Sequence, residues 1–212
     1  MFYPIYMEIP ALRDLLAPCV PAAELDDQLL ESVKVHLDLL IRWNQRMNLT
    51  ALRSPEEMVI RHFGESLFAA RHLFSRDSRQ DVFDLGSGAG FPGLPMKYWA
   101  PQLQLTLVEA HGKKATFLRE VARALHLSEL KVLNARAETV SQQASLVTLR
   151  AVEKFENVLA IAARLVAPGG RLAILIGESQ RQRAVSLLPP GECAAINLPA
   201  SEQRILLTWT AA

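Results

Sequence analysis

Residues 82–93 read VFDLGSGAGFPG. The stretch holds four glycines, at 86, 88, 90 and 93, and one carboxylate, Asp84, just before them. Glycine supplies the positive φ and the close backbone approach that a ligand-cradling turn needs. An apolar strand running into such a turn and then a helix delivers backbone N–H groups to a ligand at the helix N-terminus. Two registers compete. Read from Gly88, GAGFPG matches G-x-G-x-x-G, the dinucleotide fingerprint. Read from Asp84, DLGSGAG sets an acidic residue ahead of a spaced glycine run, as in enzymes that use S-adenosylmethionine. A plain structural turn is the third reading.

Outward from the turn, the chain alternates short apolar runs with helical stretches from Asp81 onward. DVFDLG, QLTLVEA, LKVLNARA, SLVTLRA and RLAILIG read as five strands, with helices between them such as Gly112–Leu127 and Val152–Val166. Buried parallel strands flanked by helices predict a doubly wound α/β sheet. CAAINLP and RILLTWT add two strands whose short connection predicts an antiparallel hairpin, since a parallel crossover needs about a dozen residues or more. Residues 1–80 read as helices. Leu29, Val33, Leu37, Leu40 and Ile41 share one helical face. SPEE opens another helix, with Ser54 as N-cap, Pro55 at the first position and Glu57 completing a capping box. Met58, Phe63, Leu67 and Ala70 continue its apolar stripe, and Gly64 marks a bend or a close approach of another backbone. The predicted organisation is a helical appendage, 1–80, and a Rossmann-like core, 81–212.

Composition narrows the function classes. The chain has 212 residues, half of them hydrophobic and 21% charged, enough for a sizeable core. No apolar run is long enough to span a bilayer. The N-terminal MFYPIYMEIPALRDLL lacks a basic leader and carries Glu8, Arg13 and Asp14, unlike a signal peptide. Cys19 and Cys193 form neither a C-x-x-C pair nor a metal spacing, so both are read as inert, no metal is expected, and the compartment is read as reducing and cytoplasmic. The formal net charge of +1 splits into −2 over residues 1–80 and +3 over 81–212. Neither value marks a nucleic-acid protein, although a local basic face is compatible with both.

The cofactor question turns on three features. Asp84 stands inside the strand before the glycines, where an anionic pyrophosphate would disfavour it and a sulfonium or ammonium cation would favour it. APGGRLAILIG places a Pro-Gly-Gly turn directly before the fifth strand. The terminal hairpin fits the seven-stranded methyltransferase sheet, whose last strand is antiparallel. Glu109, ending the second strand, suits ribose hydroxyls in either register and does not discriminate. These features favour S-adenosylmethionine, cradled by Asp84, Gly86, Gly88, Gly90 and Glu109.

RWNQRMNLT, RHFGES, DLGSGAGFPGLP, EAHGKKATFLREV, NARAE and LRA occur in the order seen in one bacterial family. Over nearly its whole length the chain resembles the small-subunit ribosomal RNA methyltransferase G family, also called glucose-inhibited division protein B. The resemblance implies methyl transfer from S-adenosylmethionine to N7 of a guanine in 16S ribosomal RNA. It also implies cofactor contacts at Gly86, Phe91, Ala137, Glu138 and Arg150, and places Arg136 and Arg204 at the mouth of the pocket. In this reading Gly86 admits the methionine moiety, Phe91 walls the pocket, and Glu138 beside the Ala137 N–H meets the adenine edge. Arg150 is expected to face the cofactor carboxylate or an RNA phosphate. Two departures stand out: many members have Asp where Glu65 stands, and many have Lys where Ile176 stands.

Bland readings compete with sharp ones. Arg61 and His62 are candidate RNA contacts, or simply helix partners of Glu65. Lys113, Lys114, Arg119 and Arg123 make a solvated basic face, with Lys113 near enough the cofactor edge to meet a phosphate. Trp43 is read as core rather than a base-stacking platform, Asn44 and Asn48 as local caps, and His36 and His126 as structural or solvent-facing. No catalytic acid–base residue is assigned. Guanine N7 loses no proton on methylation and needs alignment and desolvation rather than a base. The rivals are a nicotinamide-dependent oxidoreductase, a methyltransferase with another acceptor, and a cofactor-sensing module. A monomer is expected.

Overall fold

The computed structural model describes residues 7–150, 155–199, 201 and 203–211. Helices α1 (Ile9–Leu16) and α2 (Asp27–Asn44) lead to a composite helix built from α3 (Pro55–Met58), a π-turn (Val59–Gly64) and α4 (Glu65–Leu73). Strands β1 (Asp81–Leu85), β2 (Gln104–Val108) and β3 (Leu130–Leu133) alternate with α5 (Gly93–Trp99) and α6 (Gly112–Ala124). Then follow β4 (Ala144–Arg150), α7 (Phe155–Arg164), β5 (Val166–Gly177), α8 (Arg181–Leu187), β6 (Gly191–Asn197) and β7 (Arg204–Ala211). The strands form one seven-stranded sheet in the order β3-β2-β1-β4-β5-β7-β6. β1 to β5 run parallel, and β7 lies antiparallel to both β5 and β6. The chain reverses its direction of travel across the sheet between β1 and β4, and ligands of such sheets bind at the carboxyl ends of the strands there.

The expected strands and hairpin are all present, with local differences. The Pro-Gly-Gly turn lies within β5 as an irregularity: the β4–β5 register shifts between Ala144 and Leu146, and Gly169 takes a φ of +70°. The helix expected from Val152 begins at Phe155, residues 151–154 lying outside the described ones. α6 stops at Ala124, three residues before the expected end, and His126 just beyond it has a φ of 49°.

Two apolar clusters flank the sheet. One joins Leu12, Leu16, Leu37, Phe63 and Leu67 to Val82, Leu105 and Leu107, so the N-terminal helices and the sheet share a core. The other joins β4, β5 and β7 to α7 and α8. In α2, the Asp26 carboxylate caps the N-terminus by accepting from the Leu29 N–H, and Leu29, Val33, Leu37 and Leu40 are buried. Asn44 closes the other end, its Oδ1 accepting from the N–H groups of Leu49 and Thr50. Ser54 caps α3 through the Glu57 N–H as expected. The reciprocal half of the box differs, because the Ser54 hydroxyl donates to Glu56 while Glu57 is exposed.

The π-turn explains the spacing in the composite helix. Met58 and Phe63 are five residues apart and both buried, which one extra residue in the turn allows. Gly64 serves a close approach, made by a side chain: a Cβ there would lie 2.7 Å from Cys19 Sγ. Gly64→Ala is therefore expected to destabilise the fold by about 1–3 kcal/mol through overpacking. In a Cys19→Ala background the clash is gone, and the same substitution should be neutral or stabilising by up to about 1 kcal/mol from helix propensity. Urea unfolding of the four variants checks this, and equal losses in both backgrounds would exclude the contact as the cause.

Candidate active site

The turn after β1 carries three positive-φ glycines: Gly86 at 65°, Gly88 at 56° and Gly90 at 92°. The N–H groups of Gly86 and Ser87 donate to the Val108 carbonyl at 2.8 and 3.2 Å, which ties the turn to the end of β2. Gly93 lets α5 pack onto the sheet: a Cβ there would meet Leu107 Cδ2 at 2.7 Å and Asp84 Oδ2 at 2.8 Å.

Asp84 differs from the expectation that it faces a cofactor cation. It is fully buried beneath the turn, with Oδ1 accepting from the Thr148 hydroxyl at 2.9 Å and Oδ2 from the Gly93 N–H at 3.3 Å. The strand's alternation turns it toward α5. It therefore ties β1, β4 and α5 together beneath the turn. Burial raises its carboxyl to about 6.

Glu109 sits at the cradle's other wall. Its Oε2 accepts from the Gly88 N–H at 2.8 Å and its Oε1 from the His111 N–H at 2.7 Å. The carboxylate thus braces the glycine turn against the start of α6. Asn134, which the sequence reading passed over, donates to the carbonyls of Glu109 and Ala110 at 2.8 and 3.0 Å. Its place directly after β3 is the signal that could have found it.

Phe91 lies between two imidazoles. The His36 ring stacks at 5.0 Å with an interplanar angle of 9°, and the His62 ring at 4.7 Å and 21°. His36 Nε2 donates to the Ala89 carbonyl at 2.9 Å, so its Nδ1 accepts from the Tyr98 hydroxyl at 3.0 Å. Burial lowers His36 to about 3. His62 falls to about 2, mainly by burial and then by the charge of Arg150. His62 Nε2 lies 2.7 Å from Thr50 Oγ1, and its Nδ1 is buried without a partner. Both rings are neutral at pH 7, and His36, read as structural or solvent-facing, is a pillar of the turn.

Arg150 does not face the open cleft. Its buried guanidinium donates to the Arg61 and His62 carbonyls, the Ser66 hydroxyl and the Glu65 carboxylate. Arg150, expected to face the cofactor carboxylate or an RNA phosphate, thus has its guanidinium occupied by protein groups under the composite helix. Burial lowers its pKa to about 10, so it stays charged at neutral pH. Glu65 is 2% exposed, and its Oε2 lies 3.0 Å from both Arg150 and Arg204. Its expected helix partner Arg61 instead points into solvent. Glu65 and Arg204, with Ile60, Arg61, Gly177 and Glu178, line a cleft of about 860 Å³. Arg204 is one-fifth exposed, with a buried Nε that lacks a partner.

The remaining candidates lie outside this cluster, Ala137 and Glu138 beside α7. Ala137 and Glu138 form a single 3-10 turn, half-buried and exposed respectively. The Glu138 carbonyl accepts from Arg164 at 3.3 Å. Arg136 and Lys113 are exposed. The structure thus brings Asp84, Gly86, Gly88, Gly90, Phe91 and Glu109 into one cradle, with His62, Arg150 and Arg204 beside it. Among the described residues no cluster of ligating side chains could hold a metal, and no helix is long and apolar enough to cross a membrane.

The family model described as rRNA small subunit methyltransferase G matches residues 29–187. Ribosomal RNA small subunit methyltransferase G of Xanthomonas campestris pv. campestris (strain B100) is 40% identical over 184 residues, covering 86% of this chain and 84% of the relative. Among solved structures, ribosomal protein L11 methylase of Lactobacillus delbrueckii subsp. bulgaricus superposes with a TM-score of 0.60 at 10% identity, covering 72% of this chain and 79% of that one. TYW2 of M. jannaschii in complex with AdoMet superposes with a TM-score of 0.53 at 15% identity, covering 69% and 74%. At such identities the structural likeness establishes the fold alone.

The buried titratable groups set the acid stability. His36 and His62 have pKa values far below the ordinary imidazole, so their contribution is present above about pH 6.5 and lost as pH falls. Asp84 has the opposite sign: raised to about 6, it contributes stability that is complete near pH 4 and lost as pH rises through 6. Each proton amounts to about 1.4 kcal/mol per pH unit. Between pH 6 and 4 the two histidines and Asp84 give a net loss of one such proton. Asp84→Asn should double that slope, whatever its offset. Chemical denaturation across this range checks it, and an unchanged slope would place the Asp84 titration elsewhere.

Proposed function

The chain belongs to the rRNA small subunit methyltransferase G family, and from that premise we propose that it transfers a methyl group from S-adenosylmethionine to N7 of a guanine in 16S ribosomal RNA. The observation that carries the reading is the glycine turn braced by the Glu109 carboxylate at the switch point of the seven-stranded sheet. The cradle fits the cofactor. The glycines leave the backbone open, and Glu109 retains lone pairs for ribose hydroxyls beyond those used by Gly88 and His111. Ala137 and Glu138 are assigned to the adenine side, and Phe91, stacked between His36 and His62, is assigned to the wall. When bound, S-adenosylmethionine supplies an electrophilic methyl group. The dinucleotide register of GAGFPG gives way to methyl transfer on the family match, and Gly93, its third glycine, is used for helix packing.

This chain's residues align and desolvate the acceptor. His62, stacked on Phe91, is neutral, and Glu65, which lines the cleft, is shared by two guanidinium groups, so neither is a free base. Guanine N7 needs none. A negative group at the cleft mouth, such as an RNA phosphate, matches the excess positive charge of Arg61, Arg150 and Arg204 over Glu65. Residues 1–80 act as a helical appendage that walls the cleft of the 81–212 core. The reading places the protein in the cytoplasm as a monomer acting on ribosomal RNA or an assembling small subunit.

Tritiated methyl transfer to small-subunit RNA, with mass mapping of the product, tests the function. Glu109→Ala is expected to weaken cofactor affinity about ten- to a hundredfold, the loss of charge-assisted bonds of roughly 1.5–3 kcal/mol. Calorimetry on the folded variant checks this, and unchanged affinity removes Glu109 from the site. The single-turnover rate should be nearly flat from about pH 7 to 9, above the Asp84 transition and with no essential base titrating. A tenfold rise per pH unit would mean an acceptor that must lose a proton, and would rule out N7.

A further inference from the structure

A second cleft lies away from Glu65, between the end of α2 and the start of α6. It has a volume of about 460 Å³ and is lined by Arg42, Trp43, Arg46, Met47, Lys113 and Glu120. Its floor is aromatic: the half-buried Trp43 indole meets Phe117 edge-on at 5.6 Å and 64°. Its rim is basic. Arg42, Arg46 and Lys113 are all exposed, against one half-buried carboxylate, Glu120. Among the described residues Arg46 and Lys113 make no hydrogen bond or ion pair, and the charge of Arg42 acts on Asp38 one turn earlier. Lys113 stands four residues after Glu109, so the cleft opens beside the cofactor cradle.

We propose that this cleft is a nucleotide subsite that takes one flanking, single-stranded nucleotide of the RNA substrate, its base against Trp43 and its phosphates against Arg42, Arg46 and Lys113. The inference rests on the RNA reading above. Aromatic floors with cationic rims bind single-stranded nucleic acid by stacking and charge together, without reading sequence. An acidic protein segment would match the cations but leave the indole without a partner. Trp43 was read from sequence as core. It is core on its Phe117 side, and it also lines an open cleft.

Intrinsic fluorescence tests the assignment, because the other two tryptophans, Trp99 and Trp209, are 3% and 4% exposed. The probe is a single-stranded oligoribonucleotide of about ten nucleotides, with an abasic strand of the same length and a polyglutamate of equal charge as controls. The oligoribonucleotide should quench the wild-type emission. Trp43→Phe should bind without the quench, and Trp43→Leu should bind roughly tenfold more weakly, the loss of about one stacked base. Arg46→Gln and Lys113→Gln should each lower the salt slope of log K by about 0.7. S-adenosylhomocysteine affinity should be unchanged in Trp43→Leu and Arg46→Gln, which also confirms that they fold. A quench that persists in Trp43→Phe, unaltered affinities and slopes, or equal binding of polyglutamate would overturn the subsite. Should the wild type methylate no small-subunit RNA while the binding pattern holds, the proposed reaction fails and the subsite stands. Methyl transfer with unaltered RNA binding would remove the subsite alone.

Discussion

A guanidinium buried at the end of the central strand β4 has to be fully partnered, because leaving such a charge uncompensated costs several kcal/mol. Among the described residues the hydrogen-bond partners of Arg150 come from one place, the segment from Arg61 to Ser66. That requirement fixes the composite helix over the carboxyl end of the sheet. The π-turn at Val59–Gly64 belongs to the same arrangement. A wider turn disturbs the regular ladder, leaves carbonyls at Arg61 and His62 able to take the guanidinium, and keeps Met58 and Phe63 on the core side. Gly64, at the end of that turn, then allows α1 and the Cys19 thiol to close in from behind. One buried cation thus couples the sheet, the helical segment and the cleft they enclose.

The cradle depends on a second device, the stack of His36, Phe91 and His62. An imidazole that cannot charge behaves as a flat, polar-edged hydrophobe. Its face packs on Phe91 while a ring nitrogen reaches a backbone carbonyl in His36 and the Thr50 hydroxyl in His62. His36 uses this to hold the Ala89 carbonyl, inside the glycine turn, against α2. The turn is therefore fixed from three sides: by Asp84 from beneath, by Glu109 from the β2 side and by His36 from the helical segment. Fixing it before a ligand arrives reduces the entropy that binding would otherwise lose.

The parts legible in the sequence are those that local patterns encode. The five parallel strands are readable because they are short apolar runs bounded by turns, four of them largely buried and β3 half-exposed at the sheet edge, and the hairpin because its connection is too short for a crossover. The glycine turn and the position of Glu109 at the end of β2 are legible because both follow directly from where the strands end. Contacts that span the chain were not legible. His36 lies 53 residues from Ala89 and Arg150 lies 85 from Glu65, and no spacing rule links them. The contacts of Asp84 are hidden for a related reason. Its position before the glycines is visible in one dimension, but which face of β1 it occupies relative to α5 is not. The five-residue step from Met58 to Phe63 is visible in the sequence, but it fits no regular α-helical period and only the π-turn accounts for it.

Charge balance connects the site to its acceptor. Glu65, Arg150 and Arg204 form a cluster with one net positive charge, and Arg61 adds another at the surface. Methylation at N7 moves a positive charge onto the base without creating one, so the closed site as a whole needs no new counter-charge. The ring that receives it would still be repelled by a cation held close in low dielectric. The cluster can favour the reaction only if it meets the RNA backbone, leaving the base to lie against neutral groups. The neutral imidazole of His62 is suited to that environment. Ile176 is 5% exposed and packs in the apolar cluster of β4, β5 and β7. Its neighbour Gly177 pairs in register with Arg204. At this end of β5 the cation therefore comes from the adjoining strand, and Glu65 holds that cation at the rim of the cleft and away from its interior.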